Sequence, residues 1–149
     1  MSKLILDVKP KVGLGDIKFG DYTKRVMELV GDPGSVEEIS TDDEIKTTVL
    51  SFSDGITVFL EGILDPIVSH FDVYNDKATL FGIKIFDLNE QEIIKLMNDN
   101  AYVEVEKEDE EWGETRLTFD DALMDFYFIE GALVAVNWGV IVNADGVAS

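Results

Sequence analysis

Carboxylates are the most abundant side chains of this sequence that could do chemistry, with 31 aspartates and glutamates against 12 lysines and arginines. They gather most densely in two runs, Asp42-Asp43-Glu44 and Glu108-Asp109-Glu110-Glu111. A calcium-binding loop needs oxygen ligands at alternating positions around an internal glycine, and neither run has that pattern. We interpret both runs as solvated loops, keep a specific calcium site as the weaker alternative, and predict no metal site.

A second carboxylate pair, Asp120 and Asp121, could in principle act as a general acid and base. Neighbouring side chains at the end of a strand point apart, however, and aspartate is common in tight turns. The corresponding residues of a related stretch earlier in the chain are Ser53 and Asp54. We therefore interpret Asp120-Asp121 as turn residues.

Other catalytic or cofactor-binding patterns are missing from the sequence. His70 is the one histidine, there is no cysteine, and no G-x-S-x-G nucleophile motif occurs. The glycines at Gly13 and Gly15 lack the third glycine of a dinucleotide-binding fingerprint. We predict no catalytic residue and no cofactor, and rank last an enzyme that works with acidic residues alone.

The predicted helices and strands that would hold a site occur twice along the chain. Leu50–Ile56 (LSFSDGI) and Leu117–Leu123 (LTFDDAL) are 67 residues apart, and each leads to a Glu-Gly pair. An apolar helical stripe at Val26, Leu29 and Val30 recurs as Ile93, Leu96 and Met97. Asn89 with Glu92 has the spacing of a helix-capping box.

This repetition predicts an α+β fold. We expect a tandem repeat of a helix followed by a three-stranded antiparallel meander, with both helices packed on one face of an antiparallel sheet. The first repeat, with an N-terminal strand, covers 1–75, and the second covers 76–149, within one compact globular unit. Between strands we expect an acidic link over Glu37–Glu44 and a charged loop over Lys107–Glu111, and we predict a short strand over Tyr102–Val105.

Alternation along the strands separates a core side from an open side of the sheet. The core side is predicted to carry Leu117, Phe119, Met124, Phe126, Phe128, Val134, Val136 and Trp138. The opposite side is predicted to carry Glu114, Arg116, Asp125, Tyr127, Ile129, Asn137 and Gly139, matched in the first half by Val58, Leu60, Val68, His70 and Asp72. Such a mixture of aromatic, charged and amide groups is typical of a partner-binding surface, although each residue taken alone also suits a solvated sheet face.

One further candidate is Trp112, which follows the acidic run Glu108, Asp109, Glu110 and Glu111. A tryptophan flanked by acidic residues could anchor a basic partner. Packing of Trp112 on the sheet edge, with the acidic side chains in water, is the alternative. We include these five residues among the candidate partner-binding residues.

The segment Phe19-Gly20-Asp21, followed by Val26, Leu29, Gly31 and Pro33, resembles a motif of small bacterial proteins. These are the outer-membrane assembly lipoproteins and the tandem-repeat β-lactamase inhibitory proteins. The resemblance implies a binding sheet without catalysis, and it assigns no individual contact residue. The lipid-bearing cysteine of the lipoproteins and the disulfides of the inhibitors have no counterpart here.

Net charge adds a constraint on partners. At −19 the chain should repel nucleic acids and anionic membranes and attract basic proteins. No apolar run suits a signal peptide or a membrane span, so we expect a cytoplasmic protein.

We predict a non-catalytic protein-binding module, in its most specific form an immunity or inhibitor protein against a basic toxin, present as a monomer or weak homodimer. A small-ligand-binding protein, with a pocket between helix and sheet or between the halves, is the alternative.

Overall fold

The computed structural model describes residues 4–40, 46–62, 65–110 and 113–141. Of the described residues, 48% lie in strands and 16% in helices. The strands form one sheet of eight and one of five, accompanied by two α-helices. The predicted α+β repeat, with both helices on one face of a single sheet, is therefore wrong, and the protein is mostly β.

The elements follow one another along the chain as strands, one helix, more strands, a second helix and a final set of strands. In order they are β1 (Asp7–Lys9), β2 (Gly13–Leu14), β3 (Ile17–Lys18), α1 (Thr23–Val30), β4 (Ser35–Ser40), β5 (Lys46–Phe52), β6 (Ile56–Gly62), β7 (Ile67–Val73), β8 (Thr79–Leu80), β9 (Ile83–Lys84), a 3-10 turn (Ile85–Asp87), α2 (Glu90–Asp99), β10 (Glu106–Asp109), β11 (Glu114–Phe119), β12 (Met124–Ile129) and β13 (Ala132–Gly139).

The large sheet has the order β10-β11-β12-β13-β7-β6-β5-β4, and all its strand pairs are antiparallel. Each half of the chain supplies four consecutive strands, and β7 pairs with β13 where the two sets meet. The prediction of three strands per half is wrong because β4 and β10 lie in stretches that we expected to be an acidic link and a charged loop. These two edge strands are held by backbone pairing to β5 and β11, which a charged side-chain composition does not prevent.

The predicted strand over Tyr102–Val105 is not formed. Those residues connect α2 to β10 without regular structure, and their backbone makes no ladder. Residues 41–44 and 111 of the predicted loops lie outside the described residues.

The small sheet ties the start of the chain to the second half. Its order is β3-β2-β1-β8-β9, in which β1 runs antiparallel to β2 and parallel to β8. The Thr79 hydroxyl donates a hydrogen bond to Asp7 Oδ1 at 3.1 Å beside this parallel pair. Parallel strands cannot be joined by a tight hairpin, and here residues 10–78 connect β1 to β8.

Both helices bury the apolar stripe that the sequence predicts. Val26 and Val30 of α1 are buried, as are Ile93 and Met97 of α2. The capping box at the start of α2 is confirmed: Asn89 Oδ1 accepts from the Glu92 amide at 2.9 Å, and Glu92 Oε1 accepts from the Asn89 amide at 3.1 Å.

One core lies between a single face of the large sheet, the small sheet and the helices. Trp138 occupies its centre, stacked on Phe71 with ring centroids 5.2 Å apart. The Trp138 indole donates a hydrogen bond to the Gly13 carbonyl at 3.1 Å, which joins the large sheet to the small one. The other face of the large sheet is called here the open face, and its side chains are mostly half-buried or exposed.

Two bulges decide which residues reach the open face. In β7, Leu60 pairs with Val68 and Phe59 with His70, so that Ser69 is an extra residue. Val68 therefore faces the core although it shares the parity of His70, and Val58 and Leu60 are buried as well. The prediction that these three valine and leucine residues lie on the open side is wrong.

The second bulge lies in β13, at the matching place. Tyr127 pairs with Ala135 and Phe128 with Leu133, which leaves Val134 as the extra residue. Val134 is consequently exposed rather than in the core, where we had predicted it. The other residues predicted for the core side of β11, β12 and β13 are buried.

Candidate functional site

A line of polar side chains crosses the middle of the open face. Successive cross-strand pairs join Thr118, Asp125, Asn137, Asp72, Thr57 and Ser51. Neighbouring strands in a sheet are about 4.8 Å apart, so this central polar row spans the sheet from β11 to β5. The row is assembled from both halves of the chain.

The Asp72–Asn137 pair lies at the centre of this row, where β7 meets β13. Partial burial raises the pKa of the Asp72 carboxyl above its ordinary value, and a hydrogen bond from the Asn137 side chain opposes part of that effect. No described lysine or arginine forms an ion pair with Asp72. The sheet thus holds at its centre a half-buried carboxylate that no described cation neutralises.

Asp125 flanks Asn137 on the other side, and the Thr118 hydroxyl donates a hydrogen bond to Asp125 Oδ1 at 2.5 Å. This bond orients one carboxylate oxygen along the row. Together, Asp72 and Asp125 offer acceptor groups on either side of one amide.

A second row, next to the first, contains Glu108, Arg116 and Tyr127. Arg116 is ion-paired with Glu108 of the edge strand and hydrogen-bonded to the Tyr127 side chain. The Glu108 carboxylate raises the pKa of Arg116. Burial, followed by the nearby Asp125 charge, raises the pKa of the Tyr127 hydroxyl, so this phenol remains a neutral hydrogen-bonding group.

His70 lies on the same face but on the far side of the central polar row from Arg116. Its ring meets Phe59 edge to face, with centroids 6.4 Å apart, and its Nδ1 is 3.0 Å from the Ser69 hydroxyl. The ring also covers Gly139, where an added Cβ would lie 2.2 Å from His70 Cδ2. His70 and Phe59 form an aromatic patch opposite Tyr127.

The structure brings most of the predicted binding residues together. Arg116, Asp125, Tyr127, Asn137 and Asp72 form one cluster, with Glu108 at its edge and His70 on its other side. Asp109 instead points away from the open face and accepts a hydrogen bond from Thr115 at 2.7 Å. Glu110 is exposed beyond the end of β10, while Glu111 and Trp112 lie outside the described residues.

Sequence reasoning missed Thr57, Thr118 and Phe59 as members of this surface. Threonine and phenylalanine in strands are ordinary sheet formers, so their types carried no signal. The register of β6–β7 and β11–β12 would have shown them, because it pairs Thr57 with Asp72, Phe59 with His70 and Thr118 with Asp125. Whether any of these residues contacts a partner stays a prediction.

Within the described ranges, no group of three or more histidine, aspartate or glutamate side chains is placed to hold a metal ion. Asp120 and Asp121 lie in the turn between β11 and β12, as predicted. In the part of the chain that the structure describes, neither helix has the length and apolar character needed to span a membrane.

Two open clefts lie at the ends of corresponding hairpins. The first, of about 530 Å³, is bordered by Lys11, Phe19, Asp120, Asp121 and Val140 among others. The second, of about 560 Å³, is bordered by Ser53, Asp54, Tyr74 and Phe86 among others. Phe19 and Phe86, like the two turns, are 67 residues apart, so the clefts occupy equivalent places in the two halves.

No family model and no curated protein matches this sequence. Among solved structures, the chain is similar to an extracellular protein containing an SCP domain from Bacillus anthracis str. Ames, with a TM-score of 0.46 and 12% sequence identity. The similarity covers 81% of this chain and 43% of that protein, so the chain spans less than half of its length. At this level the similarity supports no conclusion about fold or function.

Proposed function

We propose that this protein is a non-catalytic binding module that holds a basic protein partner on the open face. The observation that carries the proposal is the Asp72–Asn137–Asp125 segment of the central polar row, with a carboxylate that no described cation neutralises. In its specific form the protein is a cytoplasmic inhibitor or immunity protein that neutralises a basic toxin.

Charge supports this choice of partner. A lysine or arginine from the partner would give Asp72 the counter-ion that the described residues do not provide, in a site where water is already partly excluded. The net charge of −19 would raise the rate of encounter with a cationic surface. Nucleic acids and other polyanions would be repelled by the same field.

The aromatic residues on the two sides of the row support a protein-sized partner. Tyr127 of β12 and Phe59 of β6 are half-buried on the open face, one in each half of the sheet. Aromatic side chains near the centre of an interface commonly provide most of its binding free energy. A paired sheet also fixes the positions of these groups before binding, which lowers the entropic cost of association.

The test is affinity capture with four versions of the purified chain as bait, the wild type and three variants, at low and high salt. We expect a basic protein to be retained by the wild type at low salt and released at high salt. Asp72→Asn and Tyr127→Ala should retain it poorly. Asp16→Asn, which removes one exposed charge from the turn between β2 and β3, should behave as wild type. Equal retention by all the baits would contradict binding on the open face.

A small-ligand-binding function is the second candidate, and the pair of equivalent clefts favours it. The clefts lie beside hairpin turns rather than between helix and sheet, where the sequence suggested a pocket. A metabolite panel that raises the melting temperature without any protein partner would support it. That shift should then disappear in Asp121→Asn while persisting in Asp72→Asn.

A further inference from the structure

The two edges of the large sheet differ in how they are protected. At one edge, β10 is four residues long, and three of its four charged side chains are engaged: Lys107 Nζ lies 3.1 Å from Glu90 Oε2, and Glu108 pairs with Arg116. Asp109 accepts a hydrogen bond from Thr115. A short edge strand covered by charged side chains, lysine included, is a common protection against pairing with another chain.

At the other edge, β4 has little of this protection. It is six residues long and pairs with β5 from Ser35–Ser51 to Ser40–Lys46. None of the described strands pairs with its outer side. Val36 and Ile39 are 55% and 49% exposed, and no described ion pair involves Glu37 or Glu38.

We propose that β4 accepts an extended segment of the basic partner as a ninth strand of the sheet. The partner's basic character rests on the proposed function, while the mode of binding comes from the edge itself. On an antiparallel edge strand, alternate N–H and C=O groups point outward and are ready to pair with an added strand.

The side chains of β4 specify the chemistry of that segment. Ser35, Glu37 and Ile39 share the open face with their partners on β5, whereas Val36 and Glu38 lie on the other side. An added strand would thus meet one glutamate and one β-branched apolar residue on each side. Two consecutive basic residues flanked by valine-like residues match both the charge and the apolar surface, because adjacent strand residues point to opposite faces and each face then receives one basic and one apolar side chain.

A second copy of this chain fits the same edge poorly. Pairing of β4 with itself would bring glutamates of one chain against glutamates of the other, and like charges on adjacent strands are destabilising. It would also join two chains that each carry a net charge of −19. A basic segment, and not a second copy of this chain, is therefore the expected occupant of the β4 edge.

The test uses a capped synthetic peptide, Thr-Val-Lys-Lys-Val-Thr, added to the isotope-labelled full chain, with amide hydrogen exchange followed by NMR. We expect exchange to slow about tenfold or more at alternate amides of β4 and to be unchanged in β10. An acidic analogue with glutamate in place of lysine should give no protection. No protection in β4, or shifts confined to the Tyr127 and Asn137 region, would overturn the proposal.

Two further peptides separate strand pairing from simple charge attraction. Each keeps all the lysines but carries N-methyl groups on one alternate set of residues, which removes the hydrogen-bond donors on one side of the strand. The peptide that is methylated on the side facing β4 should no longer protect β4. The peptide that is methylated on the opposite side should still protect it. If both protect as well as the unmodified peptide, the contact is electrostatic only and the strand proposal is wrong.

A matched pair of double variants tests the role of the two glutamates. Glu37→Gln/Glu38→Gln should weaken peptide binding several-fold, whereas Asp120→Asn/Asp121→Asn removes the same charge elsewhere and should have little effect. Equal weakening by both would contradict recognition at β4.

Because the peptide requires no cellular partner, it can protect β4 even if affinity capture fails. Conversely, a partner captured through Asp72 without protection of β4 would contradict only the strand proposal.

Discussion

At the scale of single residues, Asp72 is unusual because its charge is half-buried and has no described counter-ion. Its pKa is raised above the ordinary carboxyl value of 3.8. At pH values between 3.8, which is the pKa of this carboxyl in the unfolded chain, and its higher pKa in the folded protein, the folded state binds more protons than the unfolded state. The free energy of unfolding contributed by this group therefore falls as pH rises through that window.

Asp72→Asn should consequently be more stable than the wild type at pH 7, by at most about 1 kcal/mol because solvent screens a partly exposed group. The difference should shrink toward about pH 4, where the wild-type carboxyl is increasingly protonated. Urea unfolding at both pH values measures it, with Asp16→Asn as the control for charge loss. A variant less stable than the wild type at pH 7 would contradict the stated cause of the shift.

Gly139 is required by a close approach within the sheet. A Cβ at this position would lie 2.2 Å from His70 Cδ2 and 2.6 Å from the Ser69 carbonyl oxygen. That carbonyl accepts the Val140 amide at 2.9 Å, so the backbone has little freedom to move.

We expect Gly139→Ala to destabilise the fold by about 1–3 kcal/mol, as overpacking does elsewhere. Gly34→Ala is the matched control, since its Cβ would make an ordinary contact at 3.5 Å from the Ser51 carbonyl. Thermal unfolding of both variants provides the comparison, and equal melting temperatures would argue against the His70–Gly139 contact.

At the scale of elements, the capping box makes α2 the more clearly specified of the two helices. Tyr22, at the start of α1, makes no side-chain cap hydrogen bond, whereas Asn89 and Glu92 satisfy each other's amides.

Asn89→Ala should reduce stability by about 1 kcal/mol, because it leaves an amide at the helix start without its acceptor. Asn98→Ala, at an exposed position inside the same helix, should be neutral or slightly stabilising. A comparable loss from both variants, measured by chemical unfolding, would show that the cap is not the cause.

At the scale of the whole molecule, the charge and the binding surface should affect different rates. The association rate with a basic partner should fall steeply with ionic strength, since the −19 field accelerates encounter. Glu108→Lys should slow association in the same way. Tyr127→Ala should instead raise the dissociation rate at least about tenfold, because it removes a central aromatic contact. Surface plasmon resonance resolves the two effects, and unchanged kinetics in both variants would contradict the binding model.

Local chemistry in the sequence determined several features by itself. Three features depend only on residues that are close in sequence, so they can be detected without the fold. They are the repeated segment that begins at Leu50 and again at Leu117, the apolar helical stripes, and the Asn89–Glu92 spacing. Alternation in β11 and β12 likewise separated Leu117 and Phe126 from Arg116 and Tyr127. These signals were sufficient to group Arg116, Asp125, Tyr127, Asn137 and Asp72 as candidates.

Tertiary structure decided the rest, because backbone pairing between distant segments has no simple signature in side-chain type. It made strands of the charged stretches at β4 and β10, and it paired β1 with β8 in parallel. It also inserted Ser69 and Val134 as bulges, and a single extra residue exchanges the two faces of a strand. For that reason Val68 entered the core while His70 remained on the open face. Above all, the pairing of β7 with β13 set Asp72 beside Asn137, and so created the central polar row from two separate halves of the chain.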